Sequence, residues 1–383
     1  MKYMYDTSVK LSILIKYILL IFFPLSWITL GQLGSIYRLL SIVCIFLYFV
    51  LNYKNIIISK ENKNILISWL CLIVSILLPL LWMDYVEYNI SETFGYILIF
   101  FIATIYMTNS KKYNNNNLSN LDFAWFIIGF ITVIIFFIAE KKTYMFSSRK
   151  AIILWGSSTD PNELSGIFIV PISLLTYYLY KFESIYRRLI IIIIMSVMLY
   201  VVLLTGSRGG FFGAIIGIFI TILYQSRNSL KKFLFMMLII LFGMFIFYIM
   251  FYHLIPEDII ERFYTINQDR GSNRFDMWIS AFNEFNENNF FLKLFGTGAT
   301  NFTMHNTPLQ ILMNYGIVGL IFYFILLYNI YVTIMKNNQK YIGAFWGCQF
   351  LSLTLSLGPS CKFYWFSLFT TNIYVISNEN NNK

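Results

Sequence analysis

The stretch "LLTGSRGGFFGAIIGIFI", Leu203 to Ile220, decides the fold. Two apolar runs meet at Thr205, Gly206, Ser207, Arg208, Gly209 and Gly210. Charged side chains avoid hydrocarbon, and glycines let a backbone bend closely. The stretch therefore reads as two membrane spans joined by a tight polar turn at a bilayer surface.

The flanks extend that reading to the whole chain. Of 383 residues, 58% are apolar, 20% aromatic and only 12% charged, a balance foreign to ordinary soluble domains. Apolar windows of about 16 to 22 residues, enough helix to cross roughly 30 Å of hydrocarbon, recur along the sequence. They fall near 11–30, 36–51, 65–83, 94–108, 121–139, 164–180, 188–204, 210–225, 233–253, 307–333, 341–357 and 362–377. The runs are continuous rather than alternating, which predicts helices and not barrel strands. Only Pro256 to His305 is long enough to form a separate polar element. The expected architecture is an all-α polytopic membrane protein of about twelve transmembrane helices. It divides into helices 1 to 9 over 1–253, a loop with short amphipathic helices over 254–306, and helices 10 to 12 with a tail over 307–383.

Cytoplasmic loops retain Lys and Arg. With the N-terminus inside, sixteen of the 28 basic residues fall in inner segments, among them Lys60, Lys63, Lys111, Lys112, Arg187, Arg188, Lys231 and Lys232. Asp84, Glu87, Glu92, Glu140, Asp160 and Glu163 fall in short outer loops. Both termini are expected in the cytoplasm, with Arg208 and the 254–306 loop outside. The outer segment near 140–162 breaks the trend with Lys141, Lys142, Arg149 and Lys150, which either handle an anion or snorkel at the bilayer surface. Inner loops facing anionic lipid account for most of the +10 charge, and no nucleic-acid partner is implied.

Other signatures are missing. The first apolar run is interrupted by Lys16 and lacks a small-residue cleavage site, so it reads as a retained span. Cys44, Cys71, Cys348 and Cys361 lack metal-ligand spacing and read as packing residues. The Asn-rich "KKYNNNNLSN" and "NENNNK" are low-complexity segments without assigned function. There is no phosphate loop for nucleotide hydrolysis, no Asp-x-Asp pair, and no cage of acids and histidines. "GTG" at Gly296 to Gly298 is a fragment of a dinucleotide fingerprint, with Asn301 at the third glycine position, and carries no weight. No cofactor or metal is expected.

The unusual polar residues gather on the outer face. The guanidinium of Arg208 can grip phosphate oxygens as a fork, which suits a lipid-linked phosphate; an interfacial arginine reaching for water fits the same position. In "SNRFDMWISAFNEFNENNFFLKLFGTGATNF", Phe275, Trp278, Ile279 and Phe282 recur at helical spacing, so an amphipathic helix is expected with Arg274 at its start. His305 and Asn306 immediately precede span ten. His253, the other histidine, closes span nine and reads as an interfacial packing residue.

Four motifs in order, "DPNELSG" at Asp160 to Gly166, "TGSRGG", the Arg274 to Phe302 stretch with its Trp278 and "GTG", and "HN" followed by "YGIVGL", carry a family resemblance. Over roughly 156–325 the chain resembles the O-antigen ligase and polymerase superfamily of bacterial polysaccharide assembly. The resemblance implies a metal-independent glycosyltransferase of the membrane-embedded GT-C kind. It would act on undecaprenyl-diphosphate-linked oligosaccharides at the outer leaflet of the inner membrane. It also implies that Arg208 and Arg274 bind the pyrophosphate and that His305 is catalytic, with Ser207, Gly209, Asp160, Asn162, Trp278 and Asn306 in support. Positive charge would stabilise the leaving pyrophosphate, and a neutral imidazole would accept the proton of the attacking hydroxyl.

The expected reaction is polymerisation, moving a growing glycan from its lipid diphosphate to the non-reducing end of another lipid-linked repeat unit, with inversion. A chain-length regulator protein is a further expected partner. "LLTGSRGG" looks nearer to polymerases than to ligases, which hand the finished glycan to lipid A core. A lipid-linked oligosaccharide flippase is the rival from another class. It would place functional charge at mid-membrane and show two related halves, whereas here the polar signal is external and the first six spans do not recur in the last six.

Overall fold

The computed structural model describes residues 2–27, 35–53, 56–83, 86–109, 118–144, 147–154, 157–264, 274–298, 304–337, 339–355 and 362–370. Its helices are α1 Lys2–Ile21, α2 Ile36–Asn52, α3 Lys60–Leu77, α4 Val86–Met107, α5 Leu118–Ile138, α6 Pro161–Gly166, α7 Ile169–Lys181 and α8 Ile185–Leu204. They continue with α9 Arg208–Gln225, α10 Leu230–Phe251, α11 Glu257–Tyr264, α12 Arg274–Glu287, α13 Phe290–Phe295, α14 Thr307–Asn337, α15 Ile342–Ser352 and α16 Lys362–Thr370. Among the described residues, five helical stretches are long and apolar enough to cross a membrane: Lys60–Leu81, Pro161–Lys181, Ile185–Leu204, Arg208–Gln225 and Thr307–Lys336. The outward faces agree with that. On α10 Leu234, Leu238, Leu241, Phe242 and Phe245 are all exposed, an apolar surface that a water-soluble monomer rarely carries. The Asn-rich segment at 111–117, the tail from 371 and Cys361 lie outside the described residues.

The expectation of an all-helical chain needs an amendment. Two small antiparallel sheets are present: β1 Ile57–Ile58 with β2 Thr108–Asn109, and β3 Glu140–Tyr144, β4 Ser147–Leu154 and β5 Ser157–Ser158 in that order. The basic segment near 140–162 is thus a hairpin, with Lys142 opposite Ala151 and Thr143 opposite Lys150. Backbone amides that leave a helix need partners, and the β-branched Thr143, Ile152 and Ile153 favour a ladder.

Small residues bring α9 and α15 together. Gly209, Gly213 and Gly217 lie at four-residue spacing on one face of α9, and Gly343 and Gly347 likewise on α15. A Cβ on Gly213 would stand 2.9 Å from the carbonyl oxygen of Gly347, and one on Gly217 would stand 3.3 Å from that of Gly343. The pairing order makes the helices antiparallel, and bare backbones allow the close approach that drives association without a hydrophobic gradient.

Window 307–333, expected as one span, is two helices. Gly316 (φ 67°, ψ −169°) breaks α14, a conformation glycine adopts without a Cβ clash. The break orphans carbonyls of the preceding turn, which in a membrane require donors. Thr297 N–H supplies Met313 O at 3.2 Å, and Gly298 N–H supplies Asn314 O at 2.9 Å. The "GTG" fragment is therefore the cap of a broken helix. It is tied in turn to the end of α3, where Trp82 Nε1 donates to Gly296 O at 3.1 Å. The portion 317–337 alone rises about 31 Å, enough for a bilayer core, which leaves 307–315 as a short helix at one end of the bundle.

At the opposite end, polar side chains close on one another. Asp122, 1% exposed, receives the ammonium of Lys340 at 2.6 Å, the hydroxyl of Tyr341 at 2.6 Å and that of Tyr178. Lys16 donates to Thr108 O at 2.7 Å, just past the end of α4, where a cation complements the helix dipole. The lysine that interrupts the first span is thus part of a helix cap. Cys44 and Cys348 are buried free thiols and Cys71 is half-buried, in line with packing.

Candidate active site

Asp160 starts α6. Its carboxylate accepts from Asn162 N–H at 2.7 Å and Glu163 N–H at 3.2 Å, an N-cap with Pro161 at the first helical position. The carboxylate itself is engaged in this cap at an exposed position, so its support for the site is architectural. The short helix turns Asn162 inward, where Oδ1 accepts from Ser207 Oγ at 2.8 Å. Ser207 is the N-cap of α9, its Oγ accepting from Gly210 N–H at 3.1 Å, and Gly206 (φ 60°) makes the turn that leads into it. A Cβ on Gly210 would collide with the Ser165 hydroxyl. The "DPNELSG" and "TGSRGG" motifs are one hydrogen-bonded unit. Arg208, half-buried, is the first residue of α9.

His305 occupies a corner that few side chains tolerate. Its φ is 48°, the only positive value for a non-glycine among the described residues. Such a conformation costs about 1 to 2 kcal/mol and points to a functional constraint when the surroundings enforce it. They do here. Met304 N–H donates to Gln310 Oε1 at 2.7 Å, and Met304 O accepts from Trp278 Nε1 at 3.0 Å. Asn306 caps α14, its Oδ1 accepting from Leu309 N–H at 3.0 Å. Gln310 is itself oriented by Asn314, to which Nε2 donates at 3.0 Å.

The loop helix forms as expected over Arg274–Glu287, with a different inward face. Ala281 is buried, and Trp278 and Phe285 pack with it against Met304, Leu309 and Met313. Phe275, Ile279 and Phe282 are exposed instead, because Trp278 follows its hydrogen bond to Met304 and rotates the helix with it. Arg274 lies one turn before Trp278, on the same side of α12. His253, expected as packing, is exposed beyond the end of α10.

Two contacts, neither anticipated from sequence, join these pieces. Thr354, just past α15, fills the space a Cβ on Gly209 would need, and the carbonyl of its neighbour Leu355 accepts from Thr307 Oγ1 at 3.3 Å. A continuous path therefore runs from Asn162 through Ser207 and Gly209 to Thr354 and Leu355, then to Thr307, the His305 corner and Trp278. Arg208, His305 and Arg274 all lie on that path or within one helical turn of it. Gln310 had a faint signal: with Asn306 and Asn314 it forms a polar row at four-residue spacing in an apolar helix. Thr354 and Leu355 had none, since their role depends on a distant glycine.

Beside the Arg208 turn lies an apolar groove lined by Leu199, Leu203, Phe211, Ile239, Gly243 and Ile255, with about 840 Å³ of empty space. The Arg208 turn thus stands beside a hydrocarbon-lined recess. A guanidinium at such a place can hold a lipid-borne anion. No curated protein matches the chain. Residues 190–324, which carry Arg208, Arg274 and His305, match the family model described as O-antigen ligase.

Proposed function

We propose that the protein is a polysaccharide polymerase of the inner membrane, with twelve spans of GT-C type, both termini in the cytoplasm, and the 254–306 loop outside as the division into 1–253, 254–306 and 307–383 requires. It moves a growing glycan from undecaprenyl diphosphate to the non-reducing end of a second lipid-linked repeat unit, without a metal. The acceptor oxygen attacks the anomeric carbon, the bond from that carbon to the diphosphate oxygen breaks on the opposite face, and the configuration inverts. His305 takes the acceptor's proton. Arg208 and Arg274 take up the charge of the departing diphosphate, aided by the positive end of α9.

The observation that carries this reading is the path from Ser207 to Trp278 through Thr354, Leu355 and Thr307. It links the three separate motifs that carry Arg208, Arg274 and His305, the first of them beside an apolar groove. The test is in vitro polymerisation of synthetic lipid-linked repeats by the purified protein. Arg208→Ala should lose about 100- to 1,000-fold in rate, as for loss of a charge-stabilising donor. Arg208→Lys, which keeps charge without the fork, should retain part of it. Full activity in Arg208→Ala would leave that arginine an interfacial residue.

The description of the matching family favours a second reading, transfer of the finished glycan to lipid A core. The surface glycan of a deletion strain separates the two. Loss of a polymerase leaves single repeat units attached, and loss of a ligase leaves none.

A further inference from the structure

A second groove lies on another side of α9. Pro308, Phe324, Tyr331, Trp346, Gln349 and Leu353 are among its walls, around about 1350 Å³ of empty space. Ile216 of α9 faces it, whereas Phe211 and Ile218 face the groove beside Arg208, roughly 150° away around the helix. The upper walls of the second groove, Pro308 and Leu353, neighbour Thr307 and Leu355, whose hydrogen bond joins α14 to the end of α15. One groove thus ends at the Arg208 turn and the other at the His305 corner.

We infer that the second groove seats the polyprenyl chain of the acceptor, a second lipid diphosphate whose sugar hydroxyl is presented to His305. The inference rests on the polymerase reading, in which both substrates are lipid-linked. Phe324, Tyr328, Trp346 and Leu353 are exposed on helices whose outer faces meet lipid, so the occupant arrives from the bilayer. The wall chemistry selects its kind. More than half of the lining residues are aromatic, against one in the first groove. Gln349 Nε2 is buried without a hydrogen-bond partner among the described residues, while its Oε1 accepts from Tyr364. A chain with a double bond in every isoprene unit offers π density to both the rings and that N–H, which a saturated acyl chain does not.

The test uses the full chain in nanodiscs and a benzophenone-bearing polyprenyl diphosphate as probe. Peptide mapping should find labels in α8–α10 and in α14–α15, the latter displaced by unlabelled polyprenyl diphosphate but not by added phospholipid. Labels confined to α8–α10, or displaced equally by phospholipid, overturn the inference. A kinetic arm blocks the donor's own acceptor hydroxyl as a methyl ether and compares acceptors carried on polyprenyl and on short alkyl chains. The parent should prefer the polyprenyl form by about tenfold or more, the equivalent of burying only a couple of methylenes, and groove-filling Leu353→Trp should abolish the preference. An unchanged preference contradicts the assignment while leaving the polymerase reading intact. If the parent transfers glycan to neither acceptor, the polymerase reading itself falls, and the acceptor role with it.

Discussion

At one end of the bundle, Asp122 is closed by Lys340, Tyr341 and Tyr178, side chain upon side chain. At the other, Ser207, Asn306, Gln310 and Trp278 direct hydrogen bonds to main-chain groups and so fix the turns that carry Arg208 and His305. A closed side-chain cluster satisfies its own charge and fastens helices. Side chains bonded to backbone shape a corner and leave its chemistry to a neighbouring residue. On the proposed reading, the Asp122 cluster bears on stability and the corners carrying Arg208 and His305 bear on catalysis.

Substitutions at the two ends should separate accordingly. Asp122→Ala strands a lysine that is only 15% exposed and a buried tyrosine hydroxyl, and removing one member of such a pair costs about 3 kcal/mol. Thermal unfolding in nanodiscs should show this as the largest stability loss, with kcat of the folded protein unchanged; equal melting would remove the fastening role. Gln310→Leu acts at the other end and should be milder. It removes the acceptor that holds Met304 N–H, and kcat should fall about tenfold, the effect of a slightly displaced catalytic group, with KM and the pH profile kept. A shifted KM at unchanged kcat would place Gln310 on substrate binding instead.

Much of this contrast was legible in the sequence at the level of composition and motif order. Apolar windows overlap the five stretches long and apolar enough to cross a membrane, because membrane helices must satisfy their backbone internally. The loop helix at Arg274 was legible from its periodicity, although its buried face was not: a single hydrogen bond from Trp278 decides the rotation. Gly316 looked like an ordinary residue within "YGIVGL", since glycine is common in spans and only the positive φ marks a break. The hairpin at 140–154 was hidden by its charges. Nothing local linked Thr354 to Gly209 or Leu355 to Thr307, because those contacts arise only when α15 packs against α9. Motifs named the residues, and tertiary packing alone links the turns that carry them.

The central claim is that the corner held at φ 48° exists to present His305 to an acceptor hydroxyl. The most direct measurement is the pH–rate profile of purified parent and His305→Ala on synthetic lipid-linked repeats, with binding of the lipid-linked donor followed in parallel. A general base predicts a loss on the order of 100-fold in rate, disappearance of the ionisation on the acid limb of the profile, and donor binding largely retained. Turnover within a few-fold of the parent, with the same profile, would contradict the claim and leave His305 a structural residue of the turn.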